Sequence, residues 1–157
     1  MTDRPGMRRT RLSDLAVPLL VIGITVYVLL RFSYNSMPPL QILVPIPLAA
    51  LGAAELVAAR RVGAAVRHDP DAKPMAALVI ARCVALGKAS SLVGSGVVGG
   101  ALALLARVLP DVRTVHVAAN DARVAALLLA AALLLVVAGL LLERAGIDPG
   151  RDRDERE

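Results

Sequence analysis

The sequence predicts an all-α membrane protein, with four transmembrane helices in a small bundle and both ends in the cytoplasm, and three observations predict it. Hydrophobic residues make up 57% of the 157-residue chain, above the roughly 45–50% usual for soluble domains. The excess is Ala, Leu and Val, gathered into long apolar runs between short clusters of Arg and Asp, as expected of segments that alternate between lipid and water. The basic residues are also unevenly divided. One side of such a topology holds Arg4, Arg8, Arg9, Arg11, Arg60, Arg61, Arg67, Lys73, Arg144, Arg151, Arg153 and Arg156, and the other only Arg31, Arg107, Arg113 and Arg123. Cytoplasmic loops carry the excess of Lys and Arg, so the basic N-terminus 1–11 and the tail 144–157 both fall inside, in the cell membrane of the organism.

The first span runs over 12–32, about 30 Å at 1.5 Å per residue. Arg4, Arg8, Arg9 and Arg11 resemble the basic flank of a signal peptide, but no small-x-small cleavage site follows Leu30, so the span is expected to be retained. Tyr27, Phe32 and Tyr34 gather at its far end, where amphipathic rings favour the headgroup level. The second span, 39–58, contains Pro45 and Pro47, whose missing donors predict a kink or help from neighbouring helices. A charged, proline-broken cytoplasmic loop follows over 59–75. Residues 75–83 read as an interfacial extension, and 84–106 as the third span, with Arg82 at the boundary. Pro110 to Asp121 reads as a polar loop with Asp121 as N-cap of the last helix. The fourth span, 124–142, is nearly pure Ala, Leu and Val, and its charged tail reads as disordered.

The same letters exclude several functions. A net charge of +5 is accounted for by the positive-inside bias, and the arginines lack the interleaved aromatics or binding module of a nucleic-acid protein. Cys83 is the only cysteine, and His68 and His116 stand apart, so neither an intrachain disulfide nor a metal cluster is expected. No cofactor is expected. The absence of a nucleophile and base pair, and of any soluble module between the spans, argues against an enzyme.

The third span carries the unusual stretch Leu86 to Gly100. Gly94-Ser95-Gly96-Val97-Val98-Gly99 matches a dinucleotide-binding pattern, and Gly87-Lys88 the end of a phosphate loop. Neither has the strand, turn and helix such loops need. Taken as a helix, Gly87, Ser91, Ser95 and Gly99 recur every four residues beside Gly96 and Gly100, a face nearly free of side chains that admits another backbone and serine hydrogen bonds. Its partner is a span of the same chain, a second copy or another membrane protein, and the need of a four-span bundle for interior faces favours the first.

Lys88 lies six residues beyond Arg82, about 9 Å deeper if helical. Glu55, the one acid away from the ends of any expected span, lies about 7.5 Å inside the boundary marked by Arg60. Their depths match, so Glu55, Lys88 and Arg82 are candidates for an intramembrane charge cluster. Separate snorkelling of Glu55 and Lys88 to the interface is the alternative.

The segment Glu55-Leu56-Val57-Ala58-Ala59-Arg60, the block Arg82-Cys83-Val84-Ala85-Leu86-Gly87-Lys88-Ala89-Ser90 and the glycine-rich face after it resemble the actinobacterial integral membrane family called domain of unknown function 3180. The resemblance spans Leu12 to Leu142. It implies an integral membrane protein and brings no activity and no catalytic residue with it. The expectation is therefore a non-enzymatic helix-packing or interaction component of the membrane or envelope, its partners the bilayer and a membrane protein or second copy; the alternative is a small transporter or transporter subunit with a charged inner-leaflet site.

Overall fold

A computed structural model describes residues 12–33, 41–67, 69–70, 74–112 and 116–146. The basic N-terminus, Tyr34, His68 and most of the charged tail lie outside them. Four helices carry the described chain: α1 (Leu12–Ser33), α2 (Pro45–Val66), α3 (Ala77–Val108) and α4 (His116–Ala145), with a single 3-10 turn at Leu109–Asp111 after α3.

The apolar runs form these helices, but their ends differ from the sequence pattern for identifiable reasons. α2 starts at Pro45 and continues past Arg60 and Arg61 to Val66. Pro45 and Pro47 sit in its first turn, where backbone N–H groups have no intrahelical acceptor to lose, so the expected kink is not required. Residues 77–108 form one continuous helix, which places Arg82 inside its second turn. α4 opens at His116, five residues before Asp121. Asp121 is therefore not an N-cap; it lies on the helix interior in a buried row with Ala118, Val124 and Ala125, a spacing of three and four residues that shares one face.

The helices pack in the order α1, α3, α4, α2. Among the described helices α1 touches α3 alone, the long central seam joins α3 to α4, α2 lies along α4, and α2 meets α3 only slightly. This is an open row with one curled edge and not a closed ring of four. Directions follow from the contacts. α1 and α3 run parallel, with Ile22 against Gly96, Val26 against Gly100, and Leu30 against Leu104 and Val108. α3 and α4 run antiparallel, Gly94 meeting Val136 while Gly87 meets Gly139. α2 runs parallel to α4, with Gly52 at Leu135 and Gly63 at Ala145.

The seams are made of small residues and the outside of large ones. Gly87, Ser91, Gly94, Ser95, Gly99, Ala101 and Ala103 are buried on α3, whereas Val17, Leu20, Val21, Ile24, Val28, Leu29 and Phe32 are exposed on α1. In water this distribution would leave a large aggregation-prone apolar surface. In lipid it is the natural one, because leucine gains nothing by leaving acyl chains and only close backbone packing holds helices together. Three helices, α1, α3 and α4, are long and apolar enough to cross a membrane. α2 falls short because Glu55, Arg60 and Arg61 interrupt it.

Candidate functional site

The stretch 86–100 lies wholly within α3, so neither nucleotide-binding pattern has a loop to work with. Its small residues serve two seams, one on each side of the helix. Toward α4, a Cβ on Gly87 would lie 2.6 Å from the carbonyl oxygen of Gly139, and a Cβ on Gly139 would lie 2.6 Å from the carbonyl oxygen of Gly87 and 3.0 Å from the amide nitrogen of Ser91. Toward α1, a Cβ on Gly23 would lie 3.2 Å from the Gly99 carbonyl oxygen, and one on Gly99 would run into the Leu19 carbonyl oxygen. Gly96 packs under Ile22, and Gly100 sits more loosely near Val26.

The row Gly87, Ser91, Ser95 and Gly99 therefore does not present one face. Each step of four residues turns the helix about 40° past a full turn, so Gly87 and Gly99 point about 120° apart. The row spirals from the α4 side to the α1 side and supplies both seams with backbone-to-backbone contact. Both partners are helices of the same chain. The serines contribute differently from expectation: Ser91 Oγ donates to the Lys88 carbonyl at 2.9 Å and Ser95 Oγ to the Leu92 carbonyl at 2.7 Å. These bonds return to α3 itself and satisfy the hydroxyls without crossing to a neighbour.

Ser90 is the serine that crosses. Its Oγ donates to Oε1 of Glu55 at the slight contact between α2 and α3, beside the level where Gly139 of α4 meets Gly87. Glu55 is 2% exposed, Ser90 is buried, and Glu55 Oε2 has no hydrogen-bond partner. The structure thus gives Glu55 a neutral hydroxyl where the sequence suggested a cation. Lys88 and Arg82, the other two members of the expected cluster, lie on exposed positions of α3. Helical phase separates them: Lys88 and Ser90 are two residues apart, about 200° around the helix, so only one can face α2.

Two further buried acids were not expected from the sequence. The sequence pattern puts Asp121 at the end of a loop as an N-cap, and Glu143 just past the fourth span. Both lie inside α4 and are buried. Their signal was the helical spacing, Glu143 following Ala132 and Gly139 on the face turned to α3. Among the described residues no group of His, Cys, Asp and Glu is placed to hold a metal ion. The cleft between α1 and α3, about 320 Å³, is lined by apolar side chains with Tyr27 the one hydroxyl among them, so it offers no converging polar groups.

No curated protein and no solved structure matches the chain. One family model does match, described as a protein of unknown function, DUF3180, over residues 15–149. That match takes in all four helices except the first turn of α1 and includes both Glu55 and Ser90, and the chain belongs to this family.

Proposed function

We propose that the protein is a non-enzymatic integral component of the cell membrane that crosses four times with both ends in the cytoplasm, and that works by packing and association. The observation that carries the crossing number is the parallel contact of α1 with α3. Two helices that span in the same direction and follow one another in the chain require a return crossing between them, and α2 with the residues before it is the segment available. Its three charges are compatible with that role, because Glu55 is shielded by α3 and α4 while Arg60 and Arg61 reach the cytoplasmic interface. The antiparallel α4 then brings the C-terminus back to the side of the N-terminus.

The small-residue faces are used up inside the chain, so association falls to the outer surface of α1, which among the described helices packs against α3 alone. Reporter fusions at both ends and in the segments 34–44, 67–76 and 112–116 test the topology; both ends and 67–76 are expected inside and the other two outside. A photo-crosslinker at Ile24, exposed on α1, is expected to give a discrete adduct with one membrane protein or second copy in native membranes, and one at the buried Ser95 none. Only lipid adducts at Ile24 would count against association. A transport role around Glu55, Arg82 and Lys88 is the second reading, supported by the burial of Glu55 with an open oxygen. It predicts flux in reconstituted liposomes that Glu55→Gln abolishes.

A further inference from the structure

The Glu55 carboxyl is the least conventional group among the described residues. It is buried at the meeting of α2, α3 and α4, it receives one hydrogen bond from a neutral hydroxyl, and its second oxygen has none. An ionised carboxylate needs far more. Carrying its charge out of water costs more than one neutral hydrogen bond returns. A charge in such a place is normally answered by a cation or by several donors. The charged groups on the elements packed around it are Arg82, Lys88 and Arg107 on α3, Arg60 and Arg61 on its own helix, and Asp121, Arg123, Glu143 and Arg144 on α4. Arg107 bonds Asp111 near the far end of α3, the other six cations occupy exposed positions, and Asp121 and Glu143 are themselves buried acids.

A metal ion is a poor answer to this carboxyl. Hard cations take six or more oxygen ligands, and here Ser90 Oγ is the one side-chain oxygen bonded to Glu55, while the hydroxyls of Ser91 and Ser95 are spent on carbonyls of their own helix. A proton needs a single oxygen. A protonated carboxyl also repairs the hydrogen-bond pattern: the acid O–H donates to Ser90 Oγ, Ser90 turns its own hydrogen toward a carbonyl one turn back on α3, as Ser91 and Ser95 do, and the remaining carboxyl oxygen is a neutral carbonyl whose lone pairs are cheap to leave unmatched.

We propose that Glu55 and Ser90 form a proton-binding site at the contact of α2 with α3, in which the Glu55 carboxyl carries one proton in the folded protein and donates it to Ser90 Oγ. The site goes beyond the packing role proposed above and does not depend on the number of crossings, since the protein's own helices supply the burial. Proton release requires water or a base to reach the carboxyl, and the slightness of the α2 to α3 contact makes that seam the route by which it opens.

The test is infrared difference spectroscopy on the full chain, purified in detergent at neutral pH. The wild-type protein minus Glu55→Gln is expected to show a carboxylic-acid carbonyl band; Asp121 and Glu143, present in both, cancel. A difference spectrum with only carboxylate bands overturns the proposal. Ser90→Ala provides a second arm that keeps the carboxyl and does not rely on the Gln variant folding. Loss of the acceptor for the acid O–H is expected to move the band to higher wavenumber, and a band at the wild-type position would overturn the assignment of Ser90 as the partner.

Discussion

Gly99 and Gly100 are neighbours on the same helix, and substituting each with alanine separates backbone contact from mere glycine content. A Cβ on Gly99 would run into the Leu19 carbonyl oxygen, and would lie 2.9 Å from the carbonyl carbon of Leu19 and 3.1 Å from the amide nitrogen of Gly23. All three atoms belong to the α1 backbone, so no rotamer change can relieve them. Carbon atoms pack at about 3.5 to 4.0 Å, so α1 would have to retreat by at least about 0.6 Å along the whole seam. Overpacking of this kind costs about 1–3 kcal/mol, and the higher helix propensity of alanine returns at most about 1 kcal/mol. At Gly100 the nearest atom is Val26 Cγ2 at 3.7 Å, an ordinary contact, so Gly100→Ala keeps the propensity gain without the clash. The expected gap is about 2 kcal/mol between the two variants, Gly99→Ala being the less stable. Reversible unfolding of both in mixed micelles measures it. Equal stabilities would refute the claim that α1 is held by direct backbone approach at Gly23 and Gly99.

Two further pairs of variants are expected to behave as follows. Leu142 is fully buried in a cluster with Ala59 and Val62, whereas Leu141 is 41% exposed; Leu142→Ala is expected to cost about 2–5 kcal/mol and Leu141→Ala less than about 0.5 kcal/mol in the same unfolding assay. In double-mutant cycles, Glu55→Leu and Ser90→Ala are expected to couple by about 0.5–3 kcal/mol, while Glu55→Leu and Lys88→Leu add within about 0.5 kcal/mol; the reverse pattern would restore the ion pair suggested by depth alone.

Much of the fold was legible because apolar length is a one-dimensional property. α1, α3 and α4 follow directly from long apolar runs, and the glycine-rich stretch announced close packing. What a linear pattern does not contain is azimuth over long distances. Spacing by four looks like one face over two turns, yet over the twelve residues from Gly87 to Gly99 it rotates far enough to serve two partners. The same blindness joined Glu55 to Lys88: depth along the axis put them level, and the phase of α3 turned Ser90 inward instead. Asp121 and Glu143 were missed because charges beside apolar runs mark span ends in sequence, whereas helices α3 and α4 extend beyond a single bilayer's need and bury the overhang against each other. Pro45 suggested a defect in the middle of a span and proved to be a start signal, since the helix begins where its missing donor costs nothing.

The order in which the helices pack bears on how the chain is made. Its neighbours in space are α1 with α3, α3 with α4 and α4 with α2, so no helix made before α3 has a main partner among those preceding it. During synthesis α1 and α2 must each wait without their packing partners, and Glu55 must be accommodated before Ser90 has been translated. An acid that can travel as its neutral form suits that interval, and the last helix to emerge, α4, is the one that gathers α2 to the others and closes the wait.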